Sequence, residues 1–160
     1  MSPEFVPLLF TAPLLVVMAA SDVRHMRIPN WLVLAMIVVF AAVAPFYLSG
    51  EEIVMRVAVA GGVLLVGIVA FTFRIVAGGD VKALAALMLF VPAGATSIAY
   101  FGFTFSAAMV LGMIFMLTLR RAFSSPESSF LSLSIDAGYP MGLSIALAGL
   151  AFPAVHILIG

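Results

Sequence analysis

Residues 83–119 read ALAALMLFVPAGATSIAYFGFTFSAAMVLGMIFMLTL, a run of 37 residues without one charged side chain. A helix that crosses the hydrocarbon core of a bilayer needs only about 20 apolar residues. The run is therefore too long for one ordinary span. Pro92 and Gly94 offer a break, so we predict a short helix, fourth in the chain, before them and a fifth helix over about 98–119.

Four more apolar runs complete the pattern, at residues 5–20, 31–49, 57–73 and about 137–158. The sequence thus predicts an all-α polytopic membrane protein, with a bundle of about six transmembrane helices in a single domain over residues 1–160. The fourth helix is expected to be short or re-entrant, and no internal repeat is evident.

Composition excludes several classes of function. Charged residues make up only 9% of the chain, whereas soluble domains carry about 25%. The net charge is zero, so no basic patch argues for nucleic acid. The absence of cysteine excludes disulfides, thiolate catalysis and Cys-ligated zinc. His25 and His156 lie far apart in the sequence, so we expect neither a metal site nor a cofactor.

The Lys and Arg residues predict the orientation. Only Glu4 is charged before the first apolar run, which favours a permanent first helix over a cleaved signal peptide. With the N-terminus outside, the outer side holds one basic residue, Arg56, which we expect to snorkel at the entry of the third helix. The inner side holds six. These are Arg24, Arg27, Arg74, Lys82, Arg120 and Arg121.

The first of two polar junctions is DVRHMRIPN, which begins at Asp22. Pro29 pushes the preceding residue toward extended backbone, and Asn30 stands where the N-cap of the second helix belongs. Arg24 and Arg27 are most simply explained as positive-inside anchors. Two explanations of Asp22 stay open: an ion pair with one of these arginines, or a functional carboxylate near the membrane.

The second polar junction is AGGDVK, which begins at Ala77. Gly78 and Gly79 allow positive φ or a close backbone approach, so we expect the chain to turn there. Asp80 then falls at the N-terminus of the fourth helix, where a carboxylate can cap free N–H groups. Lys82 is most simply explained as an interfacial residue that snorkels.

Asp22 and Asp80 are more informative together, because the predicted orientation puts both junctions on the cytoplasmic side. Two carboxylates a few ångströms apart cannot both ionise easily, so one holds a proton while the other is a base. That arrangement can activate water against a peptide carbonyl without a metal or a protein nucleophile.

These segments also carry a resemblance to a known family. DVRHMRIPN followed by a helix and then GGDVKALAA resembles the signature segments of the type IV prepilin leader peptidases, polytopic aspartic peptidases of the GxGD type. YPMGLSIALAG, at residues 139–149, resembles the family's last segment, where a proline and a glycine open the final helix. The resemblance implies that Asp22 and Asp80 are catalytic, that Gly79 is the motif glycine before the second aspartate, and that Lys82 is a supporting residue.

The resemblance implies further expectations. The other motif residues are assigned supporting roles: Gly78, Arg24, Arg27, Pro29 and Asn30. The expected partners are the lipid bilayer and prepilin substrates with a basic leader and an apolar helix, cut at the cytoplasmic face of the bacterial inner membrane. The alternative is a small transporter or a pilus or secretion assembly subunit that uses the two aspartates as ion or proton sites.

Two departures from the family pattern bear on activity. Ala77 stands where the GxGD motif has its first glycine, which puts the turn in question. The loop between the first two helices is short and the chain has no cysteine, which resembles the peptidase-only members associated with tight-adherence (Flp-type) pili, without the methyltransferase insert. Asp136, the remaining carboxylate beside an apolar run, is expected to cap the sixth helix.

Overall fold

The computed structural model describes residues 3–123 and 138–159, and the chain in these ranges is helical with short connections. A 3₁₀ turn, Pro3–Phe5, leads into the first of the six α-helices that lie in these two ranges. The helices are α1 (Val6–His25), α2 (Asn30–Tyr47), α3 (Gly50–Thr72), α4 (Gly78–Met88), α5 (Ala95–Phe123) and α6 (Met141–Ile159). All but α4 are long and apolar enough to cross a membrane. The prediction of an all-α polytopic bundle with a short fourth helix is confirmed.

Several helix boundaries differ from the prediction for local reasons. α3 begins at Gly50, seven residues earlier than expected, because Ser49 Oγ caps it by accepting a hydrogen bond from Glu52 N (3.2 Å). α6 begins at Met141 rather than near residue 137, after Pro140. The predicted cap, Asp136, lies outside the described residues.

Helices that follow one another in the chain run antiparallel, so the bundle has two distinct ends. The start of α3 meets the end of α4, where Arg56 donates a hydrogen bond to the Phe90 carbonyl (3.2 Å). The start of α5 meets the end of α6, where Ser97 Oγ lies 3.1 Å from His156 Nε2. We call the end of the bundle that contains these two contacts the far end. The opposite end, which contains Asp22 and Asp80, is called the site end.

The short helix α4 lies at the centre of the bundle and packs against α2, α3 and α6. Its second half and the following turn, residues 85–91, are buried throughout. Gly67 of α3 and Gly149 of α6 allow this packing, because a Cβ at either position would press on Val81 or Leu87 of α4. Eleven residues at 1.5 Å each span about 16 Å, roughly half of the hydrocarbon core.

Arg56 does not snorkel as expected. Its side chain is fully buried, and the guanidinium donates hydrogen bonds to the carbonyls of Glu4 (3.3 Å) and Phe90 (3.2 Å). The prediction was wrong because α3 begins before this residue, which places Arg56 inside the bundle rather than at a helix entry. An arginine at membrane depth is expected to find such partners.

Candidate active site

Both aspartates line one cavity of about 770 Å³ at the site end. Its walls come from the end of α1, the loop that follows, the start of α2, and the first turns of α4 and α6. Seven of the nine residues that the sequence singled out line it. They are Asp22, Asp80, Gly79, Lys82, Arg27, Pro29 and Asn30.

Asp22 stands in the last turn of α1. The helix ends at Met26, which adopts left-handed backbone (φ 52°) and donates its N–H to the Asp22 carbonyl (2.8 Å). The residue is buried, with only 4% of its surface exposed. Asp22 Oδ2 accepts a hydrogen bond from the backbone N–H of Gly142, at 2.6 Å. The last turn of α1 is therefore joined to the first turn of α6 through this carboxylate.

Asp80 lies in the first turn of α4, which is not one of the five candidate spans. The N-cap position is taken by Ala77, whose side chain makes no capping hydrogen bond, so Asp80 is not the cap that the sequence suggested. Partial burial and the negative charge of Asp22 together raise the pKa of Asp80 to about 6. The two carboxyl groups are therefore close enough to act on each other electrostatically.

The glycine pair does not make the turn that we expected of it. Among the described residues no glycine has positive φ. The turn before α4 instead uses left-handed backbone at Arg74 (φ 58°), and α4 begins at Gly78. Gly78 gives room to the Phe71 ring, which would lie 3.4 Å from an added Cβ, and Gly79 faces Ile28. Ala77 has φ −77°, a conformation that alanine adopts freely, so the missing motif glycine leaves the backbone undisturbed.

Two predicted supporting residues stand apart from the cavity lining. Gly78 packs against Phe71 on the α3 side, and Arg24 is exposed on the last turn of α1. Arg27 and Lys82 do line the cavity, and both are exposed. The cavity is therefore lined by one buried carboxyl group, Asp22, one half-buried carboxyl group, Asp80, and two exposed basic side chains.

No group of three or more His, Asp or Glu side chains among the described residues is arranged to hold a metal ion. The chain has no cysteine to act as a nucleophile. The chemistry that the cavity can offer is that of two carboxyl groups that line it together, one able to hold a proton and the other to accept one.

In a comparison with known protein families, residues 9–123 match the type IV leader peptidase family. The match covers most of the chain and includes both aspartates. The chain belongs to this family. The comparison with curated proteins and the comparison with solved structures returned no match.

Membership in a type IV leader peptidase family makes the chain a peptidase, and the five long apolar helices among its described residues make it a multi-pass membrane protein. The family match ends before residues 139–149, whose resemblance to the family's last segment stays a prediction. The structure gives a reason to count that segment as part of the candidate site, since Gly142 lies within it and donates a hydrogen bond to Asp22.

Sequence reasoning missed Tyr139 as part of this candidate site. Its ring lines the cavity, and its hydroxyl hydrogen-bonds to Ser144 Oγ, which in turn donates to the Ala108 carbonyl (3.0 Å). Gly112 of α5 leaves the space that the Tyr139 hydroxyl occupies. The segment YPMG could have indicated this residue. The proline after Tyr139 restricts its backbone and opens α6, so the tyrosine is expected to lie beside the first turn of that helix.

Proposed function

We propose that this family member is an aspartic endopeptidase that removes the basic leader peptide from prepilins of the type IV or Flp type. The observation that carries the proposal is the pair of carboxyl groups in one cavity: Asp22 and Asp80 both line it, and the charge of Asp22 acts on Asp80. The family match supports peptidase activity in general.

The proposed chemistry needs one water molecule and one proton shared by the dyad. Water attacks the scissile carbonyl carbon while one carboxylate takes its proton and the other carboxyl protonates the carbonyl oxygen. The first group then gives its proton to the leaving nitrogen, the C–N bond breaks, and the diol returns a proton to the second group. The pair ends as it began, so no cofactor is consumed.

The charge distribution supports a cytoplasmic site in the bacterial inner membrane. The six basic residues of the predicted inner side are exposed or half-buried at the site end or in its adjoining turns. The far end carries Arg56, which is buried in hydrogen bonds within the protein. By the positive-inside rule the site end faces the cytoplasm, which is where a prepilin leader is located before export.

A small cavity of about 70 Å³ supports lateral entry of the substrate's apolar helix. It lies on the α3 side of Asp80 and is lined by apolar side chains that include Val63, Leu84 and Met141. Asp80 and Met141 line both cavities. Asp80 is therefore where the apolar cavity beside α3 adjoins the larger one, and we infer that the substrate's apolar helix lies on this side with its leader in the larger cavity.

The test is co-expression with Flp-type prepilins, with leader loss measured by mass spectrometry. Asp22→Asn and Asp80→Asn should each abolish cleavage, because an amide can neither accept the proton of water nor supply the acid. Glu51→Gln, the same change at an exposed far-end carboxylate, should cleave normally. Persistent cleavage in either aspartate variant would rule out the catalytic dyad. It would favour the alternative, in which the two aspartates are ion or proton sites of a transporter or assembly subunit.

A further inference from the structure

The first turn of α6 holds the carboxylate of Asp22 in a fixed position. The Gly142 N–H donates to Asp22 Oδ2 at 2.6 Å, and the N–H of Leu143 also interacts with this carboxylate. Both groups belong to the free N–H donors at a helix start, whose partial positive charge favours a carboxylate. A hydrogen bond of this kind to a charged group is among the stronger ones in proteins.

Only glycine fits at position 142 without displacing Asp22. A Cβ built there would lie 2.9 Å from Asp22 Oδ2, 3.0 Å from its Cγ and 2.9 Å from Ile28 Cδ1. Residue 142 is buried and in α-helix, so the glycine is not needed for its backbone conformation. Its use is to leave room for the Asp22 carboxylate and the Ile28 side chain against the backbone of α6.

Asp80 has a different environment, although it also lies in the first turn of a helix. Its carboxyl group accepts no hydrogen bond from the described residues, and it lies half-buried beside the charge of Asp22. Of the two groups, the one without N–H donors holds a proton more readily.

We propose that Gly142 is a positioning residue that assigns different roles to the two aspartates: Asp22, held by the start of α6, accepts the proton of the attacking water, and Asp80 donates a proton to the carbonyl oxygen. The inference rests on the proposed function. In the steps given above, Asp22 is then the group that passes its new proton to the leaving nitrogen, and Asp80 regains its proton from the diol.

The other charged and titratable groups around Asp22 are compatible with this assignment. His25 and Arg27 come from α1 and the loop after it, Lys82 from α4, and Tyr139 from the chain before α6. Both basic side chains, Arg27 and Lys82, are exposed, and neither is hydrogen-bonded to Asp22. The Tyr139 hydroxyl is hydrogen-bonded to Ser144, in the direction of α5.

Gly142→Ala tests the proposal in the purified full-length protein with a fluorogenic prepilin-leader peptide that carries the apolar segment. The added methyl group should push Asp22 from the N–H donors, and we expect kcat to fall about 10- to 100-fold with KM within about twofold. The acid side of the activity profile should also move to higher pH, because the group that must be ionised has lost its hydrogen-bond donor.

Two further variants separate positioning from packing. Gly149→Ala adds a methyl group to the same helix in contact with Leu15 and Leu87, away from the cavity, and should keep kcat near the wild-type value. Ile28→Val/Gly142→Ala removes the contact with Ile28 Cδ1 but not the one with Asp22, so it should fold and still show the loss of kcat.

Each outcome decides the question. Wild-type kcat and an unmoved pH profile in the folded Gly142→Ala or double variant would overturn the proposal. An equal loss in Gly149→Ala would also overturn it, because the effect would then be one of packing. Failure of the wild-type protein to cleave any prepilin would instead refute the proposed function, so the two failures are distinguishable.

Discussion

Arg56 and Glu52 form an ion pair one helical turn apart on α3, with Arg56 Nε 2.8 Å from Glu52 Oε1. The arginine side chain is fully buried, while the glutamate is about one-third exposed. The same Glu52 oxygen accepts a hydrogen bond from Ala93 N (3.2 Å), and Arg56 donates to the carbonyl of Phe90. The pair therefore binds the backbone of the turn that follows α4 at two points, the Phe90 carbonyl and the Ala93 N–H. This turn lies at the far end of the bundle, opposite the site end that contains Asp80.

Arg56→Met is expected to lower the free energy of unfolding by about 3 kcal/mol, as removal of one partner from a buried pair does. The loss combines the ion pair with the hydrogen bonds to Glu4 and Phe90, whose carbonyls lose their donor. Thermal unfolding in detergent, followed by circular dichroism, measures it. Arg121→Met, at an exposed arginine, should leave the midpoint unchanged, and an unchanged midpoint in Arg56→Met would contradict the prediction.

The pH dependence of activity should follow from Asp80, whose pKa is raised to about 6. Because the reaction begins with a proton on this group, kcat/KM should fall as the pH rises through about 6. The measurement is cleavage of a leader peptide between pH 4.5 and 8.5, with helicity recorded at each pH. A flat profile with an intact fold would count against a shared proton.

The raised pKa of Asp80 also predicts how the free energy of unfolding changes with pH. Between the ordinary value of 3.8 and about 6, the folded protein binds a proton at Asp80 that the unfolded chain has already released. The free energy of unfolding should therefore decrease as the pH rises through this window and level off above it. The difference between wild-type protein and Asp80→Asn isolates this contribution, which should disappear in the amide variant.

Reporter fusions can test the proposed orientation. Gly94 lies just after the far-end turn held by Glu52, whereas Arg120 is at the site end, where it donates to the Gly138 carbonyl (2.6 Å). A reporter fused after Gly94 should read as external, like one fused after Ser49, and one fused after Arg121 as cytoplasmic. The same reading after Gly94 and Arg121 would mean that the segment containing α4 is re-entrant in the membrane.

Chelators and thiol or serine reagents should leave the activity unchanged. The sequence has no cysteine to alkylate, and its two histidines lie at opposite ends of the bundle, with His25 beside the site cavity and His156 bonded to Ser97 at the far end. A catalytic zinc site usually needs three protein ligands of the His, Asp, Glu or Cys type. Activity lost with a chelator and restored by a metal would refute the two-carboxylate chemistry.

Local patterns were enough to predict much of this structure. The apolar runs predicted the spans, and Pro92 with Gly94 predicted the short helix, because bilayer thickness leaves few alternatives for a run of this length. The two polar junctions predicted which carboxyl groups share an end of the bundle, since antiparallel spans return the chain to the same side.

What the sequence did not reveal depends on contacts between distant residues. Gly142 and Asp22 are 120 residues apart, and the burial of Arg56 depends on carbonyls from α1 and from the turn after α4. The position of the turn before α4 was also mistaken, because we assumed that a glycine pair would supply positive φ. Instead Arg74 adopts it, and the pair serves close packing against Phe71 and Ile28.

The hydrogen bond between Gly142 and Asp22 has a consequence for biosynthesis. The ribosome makes α1 long before α6, so a nascent chain that already contains both aspartates still lacks the N–H group that holds one of them. Helix α4 is too short to span the membrane by itself, and its packing against α2, α3 and α6 is complete only once α6 has been inserted. In the proposed chemistry, peptide-bond cleavage is thereby withheld from the growing polypeptide until α6 has entered the membrane.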